Sequence, residues 1–370
     1  MSTKLNHTKM TCKAKEESTS SKLVARGEDL ILITGANGFI GPRVLESLLG
    51  LGFRNFRCFV RPTSDLTNID KVIETSGKSA RIEIARGNLL SVSDCLAATK
   101  DVAVIIHLAA GRGEKSFPDA FLNSVVTTRN LLEASLVHRC LTRFVNVSSF
   151  AVYDNMACST NTLDETCPLE KPPHRRGEAY CFAKVKQDQL VIDYGKRFCV
   201  PYVIVRPGYV YGPGKKAISG RVGLDTFGIF LHLGGSNTLP FTYVENCADA
   251  VALAGVTPDI DGEVFNIVDD ELPTSRELLR LYKKKVKRFP SVYVPHPVSY
   301  ALCWLWEWYS EWSAEQLSPV FNRSRWYANW KPTRYTNQKL KTRLRWKPRI
   351  STSVGLCSFL EGCRQGSSRA

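Results

Sequence analysis

Short apolar runs alternate with stretches of helical periodicity through the first 206 residues. Six runs have strand length and lack a regular exchange of apolar and polar positions, which is typical of strands buried on both faces. They are Leu30–Thr34, Phe56–Val60, Arg81–Ile84, Val102–Leu108, Arg143–Val147 and Tyr202–Arg206. Helical patterns begin between them near Gly38, Asp65, Ser91, Asp119 and Glu178. This alternation predicts a doubly wound α/β parallel sheet with a ligand crevice beyond the carboxyl ends of its strands.

The alternation ends at Pro207 and gives way to a glycine-rich stretch. A further strand-like run occupies Glu263–Val268, and from about residue 270 the chain is helical, basic and rich in tryptophan. We therefore expect a Rossmann-type domain with a smaller C-terminal substrate lobe. The predicted bounds are a disordered polar leader over 1–28, the Rossmann domain over 29–206 with 239–268 returning to it, and the substrate lobe over 207–238 and 269–370.

Composition is that of an ordinary globular protein, with 44% hydrophobic and 23% charged residues among 370. There is no apolar run of about 18 residues, as a spanning helix needs, and the N-terminus lacks the apolar core of a secretory signal. The 12 cysteines are scattered without C-x-x-C pairs or zinc spacing. We therefore expect reduced thiols, a cytoplasmic location and no bound metal.

The formal net charge of +15 favours anionic partners. The basic residues are spread out except for one dense run, Lys283–Lys284–Lys285 with Lys287 and Arg288. That run is either a solvated helix face or an anion-binding surface. We expect a small-molecule substrate and no nucleic acid.

The stretch ILITGANGFIG places three glycines where a strand gives way to a helix. Gly35 permits a sharp turn, Gly38 lets the backbone approach a pyrophosphate, and Gly41 allows close packing of helix and strand. Pro42 in the first helical turn costs little because its N–H would be unpaired anyway. The loop predicts dinucleotide binding at Gly35, Asn37, Gly38, Phe39, Ile40 and Gly41.

The second predicted strand is followed by Arg61, where an NAD-selective site usually has an acidic side chain. A guanidinium instead suits a ribose 2′-phosphate. We therefore expect NADP as the preferred cofactor, with NAD as the alternative. The other interpretation of Arg61 is a surface arginine without a role in cofactor binding.

Three side chains have the chemistry for proton transfer beside a nicotinamide. Tyr180 and Lys184 are four residues apart and share a helix face, so the ammonium is expected to lower the pKa of the phenol. Ser149 follows a strand and can hold the same substrate oxygen. Separately, such a Tyr/Lys pair is common on amphipathic helices, and two serines after a strand are often only a cap.

These segments together resemble the extended short-chain dehydrogenases/reductases, also called the NAD-dependent epimerase/dehydratase family. The matching motifs are TGANGFIG, VIIHLAA, VSSFAVY, YCFAK, RPGYVYGPG, LPFTYVENCADAVALA and NQKLKTRLRWKPRIS. The resemblance implies that Ser149, Tyr180 and Lys184 are catalytic and that Tyr180 and Lys184 also contact the cofactor. It further implies a homodimer and, in addition to the contact already expected from Arg61, cofactor contacts from Asn88, Leu89, Leu108, Ala109, Ala110 and Pro207.

The chain departs from this pattern at informative positions. Asn88 stands where the family usually has an aspartate near adenine, and an amide still offers a donor and an acceptor there. The family's dehydratases have Asp-Glu after the serine or threonine position, whereas this chain has Phe150 and Ala151. Neither side chain moves a proton, so we do not expect dehydration.

The substrate is less determined. A nucleotide-sugar oxidoreductase or epimerase is the first interpretation, a 3β-hydroxysteroid dehydrogenase-like reductase of a hydrophobic alcohol the second, and a non-catalytic dinucleotide-binding regulator the third. Arg206 and Arg221 either contact a diphosphate or are structural. The aromatic segment Tyr300–Trp312 is a membrane-surface helix, a lining for a bulky apolar substrate, or a core or dimer face. In the first of these cases, we expect a cytoplasmic protein that makes peripheral contact with a membrane.

Overall fold

The computed structural model describes residues 23–76, 79–111, 116–215, 218–313, 316 and 321–367. Most of the predicted leader, residues 1–22, lies outside this range. Within the described part of the leader, the Val24 N–H donates to Val256 O at 2.9 Å and Ala25 is buried in the core. The fold thus includes residues that precede the first strand.

Seven parallel strands form the central sheet, in the order β12-β7-β5-β4-β1-β2-β3. Their bounds are β1 Leu30–Thr34, β2 Asn55–Val60, β3 Arg81–Arg86, β4 Val102–His107, β5 Arg143–Val147, β7 Tyr202–Pro207 and β12 Val264–Ile267. Every pairing in this sheet is parallel, so all seven carboxyl ends lie at one edge, here called the rim. The predicted α/β fold is confirmed.

The helices of the sheet-forming region cover both faces of the sheet. Their bounds are α1 Gly41–Gly50, α2 Thr67–Ser76, α3 Val92–Thr99, α4 Phe117–Phe121, α5 Thr127–His138, α6 Ala179–Phe198 and α7 Val244–Val256, with a π-helical turn over Leu122–Val126 joining α4 to α5. In β1, Ile31 and Ile33 pack with α1 and α7, while Leu32 packs on the opposite face with α3 and α5. This two-sided burial explains the unbroken apolar strands.

The remaining elements surround a smaller second region. They are β6 Thr162–Leu163, β8 Tyr209–Tyr211, β9 Gly223–Thr226, β10 Ile229–His232, β11 Phe241–Tyr243, β13 Ser291–Tyr293, β14 Arg334–Tyr335, α8 Ser275–Lys285, α9 His296–Trp312, α10 Arg323–Asn329, α11 Gln338–Leu344 and α12 Thr352–Ser367. A three-stranded sheet, β13-β10-β9, and an aromatic cluster around Tyr211, Phe241 and Phe359 organise it.

The C-terminal segment also contributes to the main core. Leu340, Leu344 and Trp346 are buried in the same cluster as β1 and α1, and the Trp346 indole donates to Asn246 O at 3.0 Å. Part of the predicted substrate lobe therefore packs on the sheet. Among the described residues, no helix has both the length and the apolar character that a transmembrane segment requires.

One expectation about cysteines is wrong. Cys158 and Cys167 form a disulfide, because the loop between β5 and α6 folds back and brings the two side chains together. The spacing along the chain gave no sign of this pairing. Nine other cysteines lie in the described part of the chain, most of them buried.

Candidate active site

The glycine loop opens α1 at the centre of the rim. Gly35 has φ of +68°, and a Cβ there would lie 3.0 Å from the backbone N of Ala109, which follows β4. A Cβ on Gly41 would lie 2.4 Å from Ala36 O, so the helix start packs against the loop as the sequence predicts. Ile40 supplies no side-chain cap to α1. The exposed Gly38 and this uncapped helix N-terminus fit a bound phosphate.

Two predicted cofactor residues lie on the outer side of the rim. Arg61 directly follows β2 and is exposed, and Asn88 follows β3. The Asn88 side-chain oxygen accepts the Leu90 N–H at 3.0 Å, so its acceptor is used by the local turn. Leu89 is buried, and its carbonyl accepts the Asn130 amide at 3.0 Å.

The other predicted residues lie on the inner side. Leu108, Ala109 and Ala110 follow β4 and are half-buried, and Pro207 is the buried last residue of β7. Sheet order thus separates Arg61 and Asn88 from Pro207, with the glycine loop between them. A crevice at this position, where the strand order reverses between β1 and β4, suits a dinucleotide laid along the rim.

Ser149 and Tyr180 come together beyond the end of β5. Ser149 begins a short 3-10 turn, Phe150–Val152, and its hydroxyl accepts the Ala151 N–H at 3.2 Å. Tyr180 lies in the first turn of α6 and is half-buried. Burial raises the pKa of Tyr180 above its ordinary value, and a hydrogen bond with the Ser149 hydroxyl offsets part of that rise.

The expectation that Lys184 lowers the pKa of Tyr180 is wrong. The Lys184 ammonium donates instead to Val147 O at 2.7 Å and to Gln187 Oε1 at 2.9 Å, and the side chain is only 3% exposed. Burial, and not Lys184, therefore has the largest influence on the pKa of Tyr180. Burial also lowers the pKa of Lys184 to about 8, although the nearby Asp188 carboxylate raises it.

A buried hydrogen-bond chain connects Lys184 with the start of the glycine loop. Gln187 Nε2 donates to Thr128 Oγ1 at 2.8 Å, and His107 contacts Thr128 at 2.9 Å and Thr34 at 2.7 Å. The Thr128 hydroxyl proton goes to Ser124 O, so the network assigns the histidine proton to Nε2. Burial lowers the pKa of His107 to about 3, which keeps its ring neutral.

These connecting residues were missed in the sequence. His107 and Thr34 are strand ends, and Gln187 is three positions after Lys184 on α6, so helical spacing alone offered a weak signal for Gln187. Thr128 carried none, because its role depends on α5 lying beside α6.

Both arginines considered for a diphosphate are engaged by the protein. Arg206 is buried, contacts the Asp188 carboxylate at 3.1 Å and lies over the Tyr153 ring at 4.8 Å. Arg221 donates to Ala328 O at 2.6 Å and to the Tyr335 hydroxyl at 3.4 Å. The structure favours the structural alternative for each.

Known proteins with similar sequences are named for reactions of nucleotide-linked sugars and of 3beta-hydroxysteroids. The chain is 27% identical over 273 residues to the trifunctional UDP-glucose 4,6-dehydratase/UDP-4-keto-6-deoxy-D-glucose 3,5-epimerase/UDP-4-keto-L-rhamnose-reductase of Arabidopsis thaliana, a match covering 69% of this chain and 39% of that protein. It is 24% identical over 258 residues to a 3beta-hydroxysteroid-dehydrogenase/decarboxylase of Arabidopsis thaliana, covering 65% of this chain and 56% of the relative.

A solved structure has the same fold over most of its length. UDP-glucuronic acid 4-epimerase from Bacillus cereus, in complex with UDP-glucuronic acid and NAD, superposes with a TM-score of 0.67 at 24% identity, covering 91% of this chain and 99% of the other. The model of the NAD dependent epimerase/dehydratase family matches residues 31–267, more than half of the chain. This protein therefore belongs to the NAD-dependent epimerase/dehydratase family.

Proposed function

We propose that the protein is an NAD(P)-dependent enzyme that oxidises, reduces or epimerises a secondary alcohol or ketone carbon of a nucleotide-sugar. The observation that carries this proposal is the meeting of the Ser149 and Tyr180 hydroxyls, with Lys184 one helical turn further along α6, on the rim that holds the glycine loop. The nucleotide-sugar activities of the plant relative support the substrate class.

In this proposal each residue has a separate task. The bound nicotinamide supplies the hydride acceptor or donor. Ser149 hydrogen-bonds the substrate oxygen, and the Tyr180 hydroxyl gives that oxygen a proton or takes one from it. Lys184 spends two of its three N–H donors on Val147 and Gln187, which leaves one to hold the cofactor ribose.

Dehydration is outside the proposed activity. Phe150 is buried and stacks on the Tyr335 ring at a centroid separation of 5.8 Å, and the Ala151 carbonyl accepts from Arg176 at 2.8 Å. The two positions after Ser149 thus carry neither an acid nor a base.

The NADP preference is a second part of the proposal, and Arg61 carries it. Replacing Arg61 with Ser should weaken NADP binding by about tenfold and leave NAD binding unchanged, because a charge-assisted contact is lost. Arg81→Ser is the matched control, because Arg81 begins the neighbouring strand β3 and therefore lies at the edge of the sheet opposite the rim. Equal loss of NADP and NAD affinity in the Arg61 variant would refute the preference.

A hydrophobic secondary alcohol such as a 3β-hydroxysteroid is the second candidate substrate, supported by the sterol relative and by the apolar helix α9. A non-catalytic dinucleotide-binding regulator is the third interpretation. Denaturing the purified protein and identifying any released nucleotide shows whether a cofactor is retained. Turnover is then measured with UDP-sugars and with the steroid, following nicotinamide absorbance and sugar epimers by NMR.

The decisive variant is Tyr180→Phe, with Tyr194→Phe on the same helix as its control. Turnover should fall by about 100- to 10,000-fold in the first variant because the proton donor is lost, with cofactor binding unchanged. Unchanged turnover with every substrate would refute the enzymatic proposal, and joint loss of binding and activity would indicate a structural role for Tyr180.

A homodimer is also proposed, on the family resemblance. Phe121 in α4 and Leu122 after it are 37% and 46% exposed, so α4 offers apolar surface to a second copy. Sedimentation of the purified protein tests this state.

A further inference from the structure

Helix α9 turns a continuous apolar row away from the protein. The row, here called the outer face, has the 4-3-4-3 spacing of one side of a helix, with one further tryptophan beside it. It consists of Val298, Leu302, Leu305, Trp308, Tyr309 and Trp312, all between 42% and 72% exposed. This exposure excludes the core interpretation for these six side chains.

The opposite side of α9 holds the helix in place through small residues. Ser299, Cys303 and Ser310 are buried, and the Trp326 indole donates to Ser299 Oγ at 2.9 Å. The helix contains no lysine or arginine. Its two acidic residues, Glu307 and Glu311, lie outside the outer face, and Glu307 contacts the Arg323 guanidinium at 2.7 Å.

The tryptophans outside α9 in the described chain are buried, unlike those of the outer face. Trp326, Trp330 and Trp346 are 8%, 2% and 1% exposed, whereas Trp308 and Trp312 are 55% and 72% exposed. A tryptophan has an apolar ring and one N–H donor, a combination that is favourable where an apolar layer meets water.

A basic segment precedes α9. It consists of Lys284, Lys285, Lys287 and Arg288, all exposed and, within the described chain, without an acidic partner at ion-pair distance. The chain continues from it through β13 into α9. The Phe230 N–H donates to Pro290 O at 3.1 Å, so the β9–β10 hairpin, whose Phe227 is fully exposed, lies next to this segment.

We propose that α9 lies on the surface of a membrane that contains anionic lipids. The outer face enters the boundary between headgroups and acyl chains, its aromatic rings stay at that depth, and the basic segment contacts anionic headgroups. A basic segment joined to this uncharged apolar face through one short strand favours a lipid surface over a second copy of this chain, which would bring two basic segments together.

The test is flotation of the full chain with vesicles of phosphatidylcholine, with or without phosphatidylserine. The wild type should float with the phosphatidylserine vesicles. Lys284→Ser/Lys287→Ser/Arg288→Ser should weaken that binding by about a hundredfold, since each basic residue near the surface contributes about 1 kcal/mol. These side chains are exposed, so this variant retains the fold.

The apolar contribution is tested with Leu305→Glu, matched by Val92→Glu on α3, where the valine is 56% exposed against 47% for Leu305. Leu305→Glu should lose binding to the phosphatidylserine vesicles, and Val92→Glu should float with them as the wild type does. Absence of wild-type flotation, or equal flotation of the two glutamate variants, would overturn the proposal. So would a lipid-free oligomer that Leu305→Glu dissociates while vesicle binding is absent, because a second copy would then cover α9.

Discussion

The rim of the central sheet and the outer face of α9 place their side chains in opposite environments. At the rim, the buried polar groups of Thr34, His107, Thr128, Gln187 and Lys184 all find partners within the protein. On α9, large apolar side chains meet solvent. The difference indicates that this buried network is completed by folding, whereas the outer face of α9 is left uncovered by the described residues.

A substitution also affects the free energy of unfolding differently in the two regions. A buried donor or acceptor that loses its partner destabilises a protein by about 1–3 kcal/mol. An exposed side chain can be changed with little effect on folding, because water surrounds it before and after the change. Substitutions at the two regions therefore separate folding and catalysis from surface contact.

Within the buried network of the rim, the largest effect is expected at Lys184. Lys184→Met removes the buried ammonium, and with it the donor proposed to hold the cofactor ribose, and should lower kcat by about a hundredfold or more. Lys186→Met, two positions along the same helix and only half-buried, is the control. A steady-state assay on the substrate identified for the wild type gives both values. If the two variants kept equal kcat, the rim would lose its catalytic interpretation.

The next effect concerns the glycine loop. Gly41→Ala places a Cβ 2.4 Å from Ala36 O and should destabilise the fold by about 1–3 kcal/mol through overpacking, with weaker dinucleotide binding. A Cβ on Gly50, at the other end of α1, meets nothing within 4 Å. Thermal melting of Gly50→Ala should therefore match the wild type or exceed it, and a lower Tm for Gly50→Ala than for Gly41→Ala would contradict this account.

Gln187 should show a smaller effect with a characteristic pH dependence. Gln187→Leu removes one buried partner each from Lys184 and Thr128, which keep Val147 O and Ser124 O, and should cost about 1–3 kcal/mol. Activity that needs the ammonium falls as pH rises through the Lys184 pKa of about 8. Loss of the amide oxygen disfavours the charged form further, so the decline in kcat/KM should move to lower pH. Gln187→Glu should move it to higher pH, an outcome that a purely structural role does not produce.

The smallest effect is expected on the outer face of α9. Trp308→Ser should change the free energy of unfolding by less than about 0.5 kcal/mol, since surface substitutions rarely do more. Turnover of a soluble substrate should be unchanged. Chemical denaturation measures the first quantity. A loss comparable with that of Gln187→Leu would mean that α9 belongs to the folded core rather than to an external surface.

Much of the sheet could be predicted because its strands are buried on both faces. The predicted bounds of Leu30–Thr34 and Arg143–Val147 match the structure, and Arg81–Ile84 was short by two residues at its polar end, Ala85–Arg86. The glycine loop could also be predicted, since Gly35 and Gly41 occupy positions where a Cβ would contact the backbone. The catalytic and cofactor-binding roles of the rim residues stay predictions.

The sequence by itself indicated the family, the buried strands of the parallel sheet and several of the side chains that follow those strands at the rim. These depend on local periodicity and on residue types at short spacing. Only the tertiary structure decided where the Lys184 ammonium points, because its partners come from β5 and, through Gln187, from α5. It also decided that the α9 tryptophans face outward. An apolar helix pattern predicts that one helix face is covered, but which face stays exposed depends on the elements that pack against the opposite face.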